Sequence, residues 1–291
     1  MTTTPDFRCS GASATDAEEL AGTAPTETEY LFVEHTGPWG RQAVAESRLP
    51  EAVRDHLAGL DGVRVQLIRR VGGLREEGVR VFAAALGGAA PQVTTTVLAD
   101  VDELLALDPA ALEPYAGPLW LVCTNGRRDL CCAELGRPVA GALAGRWPEA
   151  TWETTHLGGH RFAATLLALP SGIALGRLDP ASAVEACRAL EQGLLPVAQS
   201  RGRAGLGGAA QVADLHLRRE LGLDRLEDVE VESEDGATVR LRARGTAYDV
   251  TVAQRPGEPR RQSCGDLKVK PAPVFEVTAM GTTRTATHGG A

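Results

Sequence analysis

Short runs of apolar and β-branched residues begin at residue 30 and set the first predictions. YLFVEH (30–35), VRVQLIRR (63–70), VRVFAAAL (79–86) and VTTTVLA (93–99) read as strands. SRLPEAVRDHLAGL (47–60) reads as a helix, with Pro50 in the first turn, where its missing N–H costs nothing. DVDELLAL (100–107) reads as a short helix with an aspartate near its start. A second series then repeats the order. PLWLVC (118–123) is a strand, CCAELGRPVAGALAGRW (131–147) is helical with Pro138 inside it, and ATWETTH (150–156) is a strand. FAATLLAL (162–169) and GIALGRL (172–178) form a hairpin across Pro170-Ser171, and DPASAVEACRALEQGL (179–194) is a helix capped by Asp179 with Pro180 at its first position.

At a single constant offset, Val33-Glu34-His35-Thr36 meets Leu121-Val122-Cys123-Thr124, Ala45-Glu46 meets Ala133-Glu134, and Pro50 meets Pro138. This predicts an internal duplication. In the first copy Val44 and Ile68 stand where the second has Cys132 and His156, so the first copy is the structural or docking one. A third segment adds a helix (209–223) and two or three strands. The pattern therefore predicts an α/β protein with mixed sheets. It divides into a loose N-terminal arm (1–28), a first unit (29–115), a second unit (116–200), a small α+β segment (205–275) and a polar tail (276–291). GRAGLGG (202–208) is read as a flexible connection that does not follow a strand, rather than a phosphate loop.

Composition narrows the class. The chain has 291 residues, 43% hydrophobic and 23% charged, which suits a soluble globular protein. The start of the chain lacks the basic and apolar regions of a signal peptide, and no long apolar run is present, so a cytoplasmic protein without membrane attachment is expected. A formal net charge of −8 speaks against nucleic acid as the main partner. Six cysteines are too few for a disulfide scaffold, and clustered ones in a reducing compartment suggest metal or redox chemistry.

The candidate chemistry lies in CTNGRRDLCC (123–132) and HLGGH (156–160). Cys123 ends a strand and Cys132 opens the next helix. His156 ends the following strand, and Gly158-Gly159 make a helix through His160 improbable. In parallel α/β units such strand ends lie together, so Cys123, Cys132, His156 and His160 can converge. The spacing does not suit a classical zinc finger, there is no C-x-x-C pair, and zinc, a thiol enzyme and a [2Fe–2S] cluster all stay open.

These residues resemble the sucrase/ferredoxin-like family, whose hallmark is a C-x8-C pair followed by H-x-G-G-H. A GTAP stretch (Gly22 to Pro25) and VEHTGPWG (Val33 to Gly40) extend the resemblance over most of the chain. It implies a thioredoxin-like ferredoxin domain in the second unit, a degenerate thioredoxin-like unit before it, and a [2Fe–2S] cluster held by Cys123, Cys132, His156 and His160. Cys131 is the alternative to Cys132. It implies an electron carrier or redox sensor rather than a catalyst, and because the sequence shows no convincing flavin or nicotinamide site, a separate redox partner is expected. No opposed carboxylate pair stands out, so sucrase activity is not expected. Arg127, Arg128, Arg137 and Arg161 make a basic neighbourhood for the site. Cys187 is read as core, Cys264 as structural, Cys9 as a free thiol in the arm, and His35 and Trp39 as packing between the two units.

Overall fold

A strand that is apolar along its length needs cover on both faces, and the sequence supplies two nearly all-apolar strands, one in each unit. The computed structural model describes residues 7–73, 77–87 and 90–283. Helix α1 (Cys9–Thr15) comes first, then strand β1 (Glu29–Glu34), helix α2 (Glu51–Ala58) and strands β2 (Val63–Arg70), β3 (Val79–Ala85), β4 (Gln92–Leu98) and β5 (Glu113–Pro114). The second unit holds β6 (Leu119–Cys123), α3 (Leu130–Arg146), β7 (Thr151–Thr154), β8 (Leu166–Leu169), β9 (Ile173–Leu175), α4 (Pro180–Glu191) and β10 (Ser200–Arg203). The last segment is α5 (Gly208–Leu221), β11 (Val229–Asp235), β12 (Thr238–Ala243), β13 (Thr246–Pro256), β14 (Arg260–Ser263), β15 (Asp266–Lys270) and β16 (Pro273–Thr283).

The first two units share one ten-stranded mixed sheet, in the order β10-β9-β8-β6-β7-β2-β1-β3-β4-β5. Within each unit the same pattern recurs. β1 runs parallel to β2 and antiparallel to β3, which is antiparallel to β4. β6 runs parallel to β7 and antiparallel to β8, which is antiparallel to β9. The units join antiparallel through β2 and β7, with Ile68 opposite Thr154 and Arg70 opposite Trp152. The fold is mixed α/β with thioredoxin-like units.

The repeat is not gapless. Glu29 stands opposite Val63 but Trp120 stands opposite Thr151, so one constant offset does not fit both strand pairs. The helices differ as well. α3 is continuous over Leu130–Arg146 despite Pro138, whereas α2 starts only at Glu51, after turns spanning 41–47. The first unit thus lacks the half-helix that carries Cys131 and Cys132 in the second.

Strand alternation sorts the core. Leu119, Leu121 and Cys123 face a layer with Tyr30, Phe32, Ile68, Phe82 and Trp152, which spans both units. Trp120 and Val122 face the opposite side, under Val139 and Leu143 of α3 and Leu190 of α4. In the last segment, α5 packs on the antiparallel sheet β11-β12-β13-β16 through Ala213, Leu217, Leu241 and Val250.

Several predicted boundaries are corrected. The arm at 1–28 is not loose over its described part: α1 is helical, Cys9 and Ser13 are fully buried, and Arg177 binds the Ser13 hydroxyl. The tail begins later than 276, because β16 continues to Thr283 along the whole of β13; residues 284–291 lie outside the described residues. GRAGLGG does follow a strand, since Ser200–Arg203 pairs with β9. Its helix N-terminus is still no phosphate site, because Glu234 and Phe275 crowd Gly207 and Gly208.

Candidate metal centre

Cys123 is the last residue of β6, and Cys132 lies in the first turn of α3. Asp129 makes that turn possible: it caps the helix, accepting a 3.0 Å hydrogen bond from the Cys131 N–H. Gly136 then lets α3 lie against the strand end, because a Cβ built there would overlap the Cys123 carbonyl oxygen. Both thiols are buried, each 1% exposed.

β7 ends at Thr154, and the chain turns into the His156–His160 loop beside them. His156 Nδ1 lies 4.0 Å from Cys123 Sγ and 3.9 Å from Cys132 Sγ. These three donors could hold a metal ion. His160 stands behind His156, with its Nδ1 3.3 Å from His156 Nε2 and its Nε2 2.5 Å from the Gln262 carbonyl oxygen. That carbonyl accepts the Nε2 proton, which leaves Nδ1 as the nitrogen with a free lone pair. The two imidazoles are half-buried, and burial followed by the nearby His156 ring pulls the His160 pKa down.

Three supports hold the loop. The His156 carbonyl accepts from Arg64 at 2.8 Å and from Gln66 at 3.3 Å, both on β2 of the first unit. Gly159 adopts a left-handed conformation (φ 69°) directly over the Arg201 guanidinium, where any Cβ would collide. Arg201 is 1% exposed; it donates to the Gly158 carbonyl at 3.2 Å, to the Thr23 hydroxyl at 3.0 Å and to the Thr23 carbonyl. Burial lowers its pKa to about 10, and the Cys123 and Cys132 sulfurs act in the other direction, which places a buried cation within the field of the thiol pair.

The two thiols shift each other in opposite directions. The Cys132 S–H donates to Cys123 and holds the Cys123 pKa well below the usual range, with His156 helping against burial. Cys132, as donor and by burial, is pushed well above it. Two cysteine sulfurs and two imidazoles are a donor set that suits a soft or borderline cation.

The two vicinal cysteines face different groups of side chains. Cys132 faces Cys123 and His156. Cys131 faces away, toward Cys9, Asp129 and Cys264, which form a second group of close donors. Cys9 is a free thiol, but a buried one that belongs to that group rather than to a loose arm, and Cys264 belongs to the group as well. Cys187 is buried in the core on the inner face of α4. His35 lines a separate cavity with Glu34, Arg48 and Pro50, and Trp39 lies under the Arg69 guanidinium at 4.0 Å.

The basic neighbourhood is narrower than predicted. Arg161 is buried and ion-paired with Glu18 at 2.7 Å, so it is not a rim residue. Arg127 and Arg137 line a different cavity with Trp39 and Leu130. Arg128, joined by Arg41 from the first unit, lines a cavity of about 320 Å³ that opens onto His156. Among the described residues, no helix is long and apolar enough to cross a membrane. The residues that sequence reasoning missed are Arg201, Arg64 and Gln66. They lie in strands and carry no motif, and only the strand partners reveal them.

No curated protein and no solved structure matches the chain. A family model does, over residues 20–200, which takes in both units of the large sheet and the whole Cys/His constellation. The chain belongs to the sucrase/ferredoxin-like family.

Proposed function

We propose that the protein carries electrons through a [2Fe–2S] cluster held by Cys123, Cys132, His156 and His160. The observation that supports this most is the meeting of two buried thiols with the His156 ring, within 4.0 Å, at the ends of two parallel strands, with a second imidazole behind it at a tilt of 40°. The donor set fits the group: two thiols and two imidazoles are the ligand types of the Rieske class. When bound, such a cluster accepts one electron, at a potential above the roughly −400 mV of plant-type ferredoxins and toward about −150 to +300 mV.

The chain's own residues then act as follows. Gln262 fixes the His160 tautomer so that Nδ1 is the available donor. Arg64 and Gln66 hold the loop from the first unit, which gives that unit a positioning role. Arg201 supplies a buried positive charge that favours the reduced state. Burial of both sulfurs excludes bulky substrates from the thiols, which disfavours a thiol oxidoreductase. A separate redox partner reaches the site through the cavity at His156, where Arg41 and Arg128 suit an acidic surface.

A second reading rests on an observation of its own: Cys123, Cys132 and His156 alone span a single-ion distance. In that case zinc occupies the site and the protein is a structural module. The visible spectrum of protein purified without oxygen separates the two. A red-brown chromophore that shifts in the His156→Cys/His160→Cys double variant supports the cluster. A colourless protein whose zinc is lost in His156→Ala overturns it.

A further inference from the structure

Beyond that site, a second constellation sits on the far side of the same helix turn. Cys9 Sγ lies 3.8 Å from Cys131 Sγ and 3.6 Å from Cys264 Sγ, and Cys131 Sγ lies 3.2 Å from Cys264 Sγ. Asp129 Oδ1 completes the group, 3.4 Å from Cys9 Sγ. We propose that Cys9, Asp129, Cys131 and Cys264 form a closed zinc site that fastens the two ends of the chain onto the histidine loop.

The geometry carries the metal assignment. Zinc binds sulfur at about 2.3 Å and carboxylate oxygen at about 2.0–2.2 Å, so a tetrahedral site has S···S edges of about 3.8 Å and S···O edges of about 3.5 Å. The Cys9···Cys131, Cys9···Cys264 and Cys9···Asp129 separations lie within about 0.2 Å of those edges, and the Cys131···Cys264 separation of 3.2 Å is shorter. A disulfide would join two of the sulfurs and leave the third thiol outside the bridge. Three thiols and one carboxylate fill all four zinc positions, so no place remains for water or substrate and the site is structural.

The surroundings are those of a ligand set. The second carboxylate oxygen of Asp129 accepts from the Ser263 hydroxyl at 3.0 Å and the Cys264 N–H at 2.8 Å. Cys264 Sγ accepts from the Cys9 N–H at 3.4 Å, and Ser10 hydrogen-bonds to the Cys131 sulfur. Such contacts orient ligands and spread their charge. Binding releases three thiol protons and leaves a net charge of about −2 on the zinc with its three thiolates and one carboxylate. Arg261 sits beside it, donating to the Cys264 carbonyl at 3.0 Å and stacking over Phe7 at 4.0 Å.

The four ligands come from α1, the cap and first turn of α3, and the turn between β14 and β15. That hairpin pairs with no other strand among the described residues, yet its Gln262 carbonyl fixes His160. Cys9 also donates to the His160 carbonyl at 3.7 Å. The zinc would hold the Gln262 contact in place, its ligands lying up to 255 residues apart along the chain, whereas the Cys9 S–H contact belongs to the metal-free protein.

The test is elemental analysis of the full chain, purified without oxygen or added metal, with zinc and iron counted separately. The wild type should carry about one zinc per chain. The Cys9→Ala/Cys264→Ala variant should lose it while its iron content, if any, is retained. Should that variant fail to fold, cobalt exchange of the wild type gives the second readout: intense ligand-field bands of tetrahedral thiolate cobalt are expected. Wild-type protein without zinc, iron instead of zinc at these residues, or a disulfide between Cys131 and Cys264 by mass spectrometry would each overturn the proposal. So would zinc that is lost in His156→Ala but kept in Cys9→Ala/Cys264→Ala. That last outcome is the zinc reading of the first site, so the two proposals fail separately.

Discussion

Arg201 shows how much one side chain contributes at this site. Its guanidinium is fully buried, fills the space under Gly159 and donates to two backbone carbonyls. Replacing it with methionine removes the charge and leaves those carbonyls unpaired, which costs about 1–3 kcal/mol for each group left unsatisfied. Loss of a cation in the field of the sulfurs also makes an added electron less stable. Arg201→Met should therefore lower both the denaturant midpoint and the reduction potential, whereas Arg201→Lys should lower the midpoint and largely keep the potential. Protein-film voltammetry beside urea unfolding checks both; an unchanged potential in the methionine variant would remove Arg201 from the electrostatic account.

At the scale of the element, α3 carries most of the site. Its cap and its close approach to β6 make two separate predictions. Burial pushes the Asp129 carboxyl up, but the Cys264 thiol and N–H, the His160 ring and the Cys131 N–H hold it down to about 2, below the usual 3.8. A folded-state pKa below the unfolded one adds stability that is complete above about pH 4 and is lost as pH falls through 2. The shift corresponds to about 2 kcal/mol. In metal-free protein, Asp129→Asn keeps the cap but should remove this part of the acid-dependent loss; parallel acid titrations by circular dichroism in the two proteins decide it. Gly136→Ala acts by volume instead. It drives a methyl into the Cys123 carbonyl, should cost about 1–3 kcal/mol and should reduce metal occupancy, since Cys132 moves away from Cys123.

The elements also differ in how legible they were in the sequence. The α4 cap was readable because it is local: Asp179 accepts from Ala181 and Ser182, and Pro180 follows it. β1 and β6 were readable because both are nearly all apolar. α1 was not, since CSGASAT has little helix preference and is held by burial against residues 160–162 rather than by its own pattern. β10 was hidden likewise, because SRGR is polar and its burial comes from Arg201 and Ser200 being paired within the fold. The ligand motif could be read as four residues, but not the partition of the cysteines. Cys131 and Cys132 are adjacent in sequence and point to different sites because successive side chains on a helix diverge by about 100°.

For the whole molecule, charge would decide how the proposed redox partner approaches. The formal net charge is −8, so an anionic reductant is repelled at long range. Close to His156 the sign reverses locally, because Arg41 and Arg128 line the opening. Salt screens over about 8 Å at physiological ionic strength, so added salt should weaken the distant repulsion before it weakens contact at the opening. Reduction by a small anion such as dithionite should then speed up modestly with salt in the wild type. In Arg41→Glu/Arg128→Glu the local attraction becomes repulsion, so reduction should slow several-fold at low salt and recover much more steeply as salt is added. A neutral reductant should act on both proteins at the same rate. Stopped-flow traces across an ionic-strength series measure all three dependences. Identical salt profiles for the two proteins with the anion would mean that electrons enter elsewhere than at the His156 cavity.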